Sequence, residues 1–88
     1  MKHITVFHQP NCQPCRLTMK MLDKLGATYD SRSLDDGSPE SALALSNAKA
    51  LGMTSAPIVE LRNAEGEIVR TISGYNPKAL REIAEAVR

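Results

Sequence analysis

Nothing in the 88-residue chain is apolar for long enough to span a bilayer. Its start, Met1 to Phe7, has one lysine but only the run "ITVF", far short of the apolar region of a secretory signal. An excess of charge is missing too. Eleven basic residues stand against ten acidic ones, a formal charge of +1, which removes the electrostatic case for binding nucleic acid or an anionic membrane. Internal repeats, linkers and low-complexity segments are also absent, so the chain reads as one domain over residues 1–88, with roughly 60% of its unfolded surface to bury. Together these point to a soluble, cytoplasmic protein, with nothing that demands more than a monomer. Cysteine is scarce as well. There are two, and in a reducing compartment a close pair signals redox chemistry or metal more often than a permanent staple.

What is present has a readable order. Lys2 to His8 carries Ile4, Val6 and Phe7 and suits a strand covered on both faces, the expected centre of a sheet. After the cysteines, Leu17, Met21, Leu22 and Leu25 recur at helical spacing opposite Arg16, Lys20, Asp23 and Lys24, and Gly26 stops the helix. Thr28 to Leu34 reads as a weak edge strand before the turn "DDG" at Asp35 to Gly37. Ser38 and Pro39 cap and open a helix that ends at Gly52. "PIVELRNAEGEIVRTI" is an antiparallel hairpin turning through Asn63 to Gly66. Asn76 and Pro77 repeat the cap-and-proline device ahead of a final helix with the stripe Leu80, Ile83, Ala84 and Val87. The expected order is βαβαββα, an α/β fold.

Cys12 and Cys15 fall at the head of the first helix, where residues three apart share a face with Cβ atoms about 5–6 Å apart. Closing that small ring constrains the unfolded chain by only about 2 kcal/mol, so stability is a poor reason for the pair. The spacing suits a bond that opens and closes, because the second thiol always stands beside the first. Unpaired N–H groups at the helix start favour a thiolate, which makes Cys12 the expected nucleophile and Cys15 the resolving thiol. Pro14 costs nothing so early in the helix. Zinc is the rival reading, since His3, His8, Cys12 and Cys15 number four. His3 and His8, however, point to opposite faces of one strand, so both cannot turn to the cysteines. His8 alone is close enough to tune Cys12 or take a proton, and a solvated strand-end histidine fits equally well.

The three segments "CQPC" (Cys12 to Cys15), "SAPIV" (Ser55 to Val59) and "SGYNP" (Ser73 to Pro77), in this order and at these distances, resemble the NrdH-type redoxins, glutaredoxin-like members of the thioredoxin superfamily. The resemblance implies a thioredoxin fold, a four-stranded mixed sheet flanked by three helices. It implies a cis peptide bond at Pro57, with the Ala56 backbone beside the dithiol where it can pair with an incoming peptide. The alternative for Pro57 is that it simply begins a strand. Ser73, Gly74 and Tyr75 would shape a turn facing the active site, although Tyr75 could equally be a packing residue at the last helix. Gln13 and Pro14 complete the active-site loop.

The implied activity is that of a thiol-disulfide oxidoreductase, an electron carrier that reduces ribonucleotide reductase or another disulfide-containing acceptor. Its own reduction would come from thioredoxin reductase and, through it, NADPH. No bound cofactor is implied beyond the cysteine pair. Glutathione-using relatives offer a second glycine and acidic residues where this chain has "SGYNPK", so a glutathione-dependent glutaredoxin is the first alternative. A metal or iron-sulfur module held by the same thiols is the second. The chain departs from the family pattern at Ile72 and Tyr75, which replace aromatic residues, and at Gln13 and Pro14, where valine and glutamine are usual. Pro14 is instead similar to thioredoxin, a reducing donor near roughly −270 mV.

Overall fold

The structure, a computed structural model, describes residues 1–87. Its first strand, β1 (His3–His8), lies inside the sheet, as its apolar content requires. Ile4 and Val6 fill one face and Phe7 the other, and all three are buried. β2 (Asp30–Ser33) runs parallel to β1 at the edge, and its residues are polar and largely exposed. On the other side β3 (Ile58–Arg62) pairs antiparallel with β1, and β4 (Ile68–Ser73) pairs antiparallel with β3, so the spatial order is β2-β1-β3-β4. Three helices, α1 (Gln13–Lys24), α2 (Pro39–Ala50) and α3 (Pro77–Ala86), complete the expected sequence of elements.

The two faces of the sheet hold different cores. Leu22 of α1 and Ala79, Leu80 and Ile83 of α3 pack on Ile4, Val6, Val59, Leu61 and Ile72. Ala44 and Ala48 of α2 cover Phe7 and Ile58 on the opposite face. Both cap-and-proline devices form as read: Ser38 Oγ accepts from the Ser41 N–H and Asn76 Oδ1 from the Ala79 N–H, each at 3.1 Å.

The first helix departs from its reading in one respect. Leu22 is fully buried, but Leu17 is 38% exposed, and the side that faces the sheet is completed by Cys15 and Thr18. Thr18 and Cys15 fall one and two turns ahead of Leu22 on the same stripe, so burying them rotates Leu17 outward.

Tyr29 ties the segment before β2 back to α1. Its hydroxyl reaches the Asp23 carboxylate at 2.9 Å and the Met19 carbonyl at 3.3 Å. Burial first, and then the hydrogen bond to and charge of Asp23, push its ionisation from the ordinary 10.0 up to about 12. The fold therefore favours the neutral phenol. That contribution to stability is complete below about pH 10 and is lost as pH rises through about 12. A near-ultraviolet titration of the folded protein should show a tyrosine component with its midpoint near 12 that Tyr29→Phe removes. If the full set of transitions survived that substitution, the assignment to Tyr29 would be wrong.

Candidate active site

β1 ends at His8, and the short segment Gln9 to Asn11 leads directly into the cysteines. Asn11 turns the chain with φ +56°, in the left-handed region where asparagine is among the few non-glycine residues at ease. Cys12 then takes the N-cap position of α1 in extended geometry, followed by Gln13 and Pro14 in the first turn. Its Sγ accepts the Cys15 backbone N–H at 3.2 Å, a place usually held by a serine or aspartate oxygen. Cys12 and Cys15 are joined in a disulfide, with Cα atoms 5.2 Å apart. The two sulfurs differ in environment: Cys12 is half-buried, Cys15 is 1% exposed, and Gln13 and Pro14 lie in solvent.

Sheet register brings the other two motifs to the same end. Phe7 pairs with Ile58, and Ile58 pairs with Ser73. Pro57 therefore lies across from the end of β1 that leads to Cys12, and Gly74 and Tyr75 follow from β4 at that same edge. The Ala56–Pro57 bond is cis, Pro57 is buried and Ala56 half-buried. Two contacts hold the "SAP" and "SGY" segments together. Ser73 Oγ donates to the Ser55 carbonyl at 2.6 Å and accepts the Ser55 N–H at 3.1 Å, and the Gly74 N–H donates to the Pro57 carbonyl at 2.9 Å. Gly74 has φ +75°, and a Cβ there would stand 3.6 Å from the Ser55 Cβ, so its backbone angle, not space, calls for glycine. Tyr75 is 40% exposed, with its hydroxyl 3.5 Å from Met21 Sδ.

His8 is half-buried, on the face shared by Ile4, Val6 and α1, whereas His3 is exposed and belongs to the opposite face. Among the described residues no group of three or more His, Cys, Asp or Glu side chains is placed to hold a metal ion. Nor is any helix long and apolar enough to cross a membrane. Three features escaped the sequence reading. Ser55 is the partner of Ser73, and only the strand register reveals it. Asn11 provides the left-handed turn, for which "PN" was a usable turn signal. Thr18, one turn beyond Cys15, is fully buried with no hydrogen-bond partner for its hydroxyl among the described residues.

No protein-family model matches the chain, and no curated protein matches it in sequence. Solved structures do. The glutaredoxin-like NrdH-redoxin of Escherichia coli superposes with a TM-score of 0.71 over 92% of this chain and 93% of its own, at 23% identity. The fold is that of the thioredoxins and glutaredoxins. Thioredoxin from Fasciola hepatica gives a TM-score of 0.69 over 99% of this chain and 81% of its own, at 21% identity. The glutaredoxin of Archaeoglobus fulgidus gives 0.64 over 93% and 85%, at 20% identity. In this chain the thioredoxin fold carries a Cys-x-x-Cys disulfide at the start of α1, together with a cis proline at the head of β3.

Proposed function

We propose that the protein is a dithiol-disulfide electron carrier that reduces disulfides in other proteins. The observation that carries this reading is the Cys12–Cys15 disulfide at the N-cap of α1, with one sulfur half-open and the other buried. In the reduced protein the N-terminal N–H groups and dipole of α1 stabilise a Cys12 thiolate. That thiolate attacks one sulfur of the acceptor's disulfide; a Cys12–acceptor bond forms and the second acceptor sulfur leaves as a thiolate. Cys15 then attacks Cys12 Sγ, re-forming the internal disulfide and releasing the acceptor with both sulfurs reduced. Two electrons have moved, and the protons come from Cys15 and solvent.

The other residues take supporting roles. Ala56, ahead of β3 and next to Pro57, offers its backbone to the acceptor peptide in strand fashion. Ser73 and Gly74 hold that segment in place, Tyr75 borders it, Gln13 and Pro14 shape the loop, and His8 tunes the Cys12 thiol. A flavoenzyme of the thioredoxin reductase type, drawing on NADPH, returns the pair to the dithiol, and ribonucleotide reductase is the acceptor to try first. The carrier works in the cytoplasm, as a monomer. The resemblance of the three motifs to those of NrdH-type redoxins supports this choice over glutathione, as does the lack of an acidic residue in "SGYNPK".

NADPH oxidation is the test, run with thioredoxin reductase and a protein disulfide beside an assay with glutathione and its reductase. Turnover is expected in the first only. Equal turnover in the second would replace this reading with a glutaredoxin, and stoichiometric zinc or an iron-sulfur chromophore in fresh protein would replace both.

A further inference from the structure

The outward turn of Leu17 leaves a groove of about 630 Å³ between α1 and α3. Its apolar lining is Leu17, Met21 and Leu25 from α1 with Tyr75 and Pro77 from the head of α3. Its remaining lining residues are all cations: Lys20, Lys24 and Arg81. No acidic side chain lines it; on the two helices Asp23 meets the Tyr29 hydroxyl, and Glu82 pairs with Arg70 at 2.8 Å while also sensing Lys78 and Arg81. The salt bridges among the described residues use Arg32, Arg62 and Arg70 and none of the three groove cations, of which Arg81 lies in the field of Glu82. A chain with a net charge of only +1 has thus gathered three positive charges around one apolar patch. The groove's lining adjoins the redox motifs in sequence: Leu17 follows Cys15 by two residues, and Tyr75 follows Gly74, which is bonded to Pro57.

We propose that this groove docks an acidic segment of the protein whose disulfide exchanges with Cys12, a segment that inserts an apolar side chain among Leu17, Met21 and Tyr75 and sets carboxylates against Lys20, Lys24 and Arg81. This rests on the electron-carrier reading above. The apolar anchor supplies holding power, and the charges supply approach rate and the choice between partners. It also gives the exposed Leu17 and Tyr75 a use that packing within the chain does not.

The test uses a cysteine-free synthetic peptide of Leu, Phe, Asp and Glu, and a counterpart with lysine at every acidic position, titrated into the isotope-labelled protein by NMR. The acidic peptide should bind saturably and shift the amides of Leu17, Met21, Tyr75 and Arg81, weakening by about tenfold or more as salt is raised. The lysine peptide should not bind. The variant K20E/K24E/R81E, checked for folding by circular dichroism, should reverse that preference, whereas Lys49→Glu on α2, a single reversal of the same sign elsewhere, should not. Equal binding of both peptides, shifts located elsewhere, or preferential uptake of the protein by anionic lipid vesicles would overturn the proposal. Because the probes lack sulfur, the groove is read independently of thiol chemistry. Protein that binds the acidic peptide yet reduces no disulfide would sink the electron-carrier reading alone, and protein that reduces disulfides yet ignores the peptide would sink this one alone.

Discussion

Cys15→Ser should turn the protein from a carrier into a trap. Incubated in reduced form with a disulfide-containing acceptor, the variant is expected to accumulate a mixed disulfide through Cys12, visible as a covalent adduct on a non-reducing gel and by mass spectrometry. The reason is positional. In the parent the second thiol lies within one helical turn, with Cα atoms 5.2 Å apart, so resolution is intramolecular and outruns any dissolved thiol. Serine in that place has no sulfur with which to attack. Turnover should fall by about a thousandfold or more, since release then depends on external thiols. Cys12→Ser should be equally inactive but leave no adduct, because the remaining thiol is 1% exposed and out of an acceptor's reach. An adduct through Cys15 in that second variant would reverse the two roles.

The second large effect lies far from any sulfur. Glu60, in the middle of β3, has a fully buried side chain on the sheet face that α2 covers. One carboxylate oxygen receives both Nε and Nη2 of Arg62, at 3.2 and 2.9 Å, and the other has no hydrogen-bond partner among the described residues. Arg62→Met would strand that carboxylate in the interior. The expected cost is about 2–3 kcal/mol, below the range for a wholly buried pair because a third of the Arg62 side chain meets solvent. For a domain this small that is a large share of total stability and lowers the melting temperature by about 10 °C or more. Glu60→Leu, alone or combined with Arg62→Met, should be close to neutral, since a freed Arg62 can turn to water while a buried carboxylate cannot. Denaturant unfolding of the three variants decides it. An Arg62→Met protein with the parent's midpoint would show that the pair contributes nothing.

These two sites also mark what can be read from the chain before it folds. The cysteine motif is local: the strand, the turn and the helix start that define it lie within about fifteen consecutive residues, and the N-cap geometry of Cys12 follows from them. The caps at Ser38 and Asn76 are legible for the same reason, as is the edge position of β2, announced by its polarity. Burial of Glu60 is another matter, because α2 covers it from elsewhere in the chain and an Arg two residues on looks like an ordinary surface pair. Leu17 fails for a related reason. Helical periodicity identifies an apolar stripe but does not reveal that α1 turns Thr18 inward and uses part of that stripe as a surface. α2 shows no apolar stripe to read at all, since Ser41, Ala44 and Ala48 are buried while Leu43, and Leu51 at the C-cap, are exposed. The meeting of "SAP" with "SGY" depends on strand register, which no local pattern displays.

That register couples chemistry to packing more tightly than a list of site residues conveys. Opposite faces of a strand alternate residue by residue, so sliding β3 one position along β1 would turn Val59 and Leu61 toward α2 and Glu60 toward Leu22 and Leu80. The same slide would carry Pro57 out of line with His8 and the cysteines beyond it. A register that buries the apolar face of β3 is therefore the same register that lines Pro57 up with the end of β1. Proofreading of the pairing is built into the hydrophobic pattern, and a chain that has closed its interior has, in the same act, calibrated its tip.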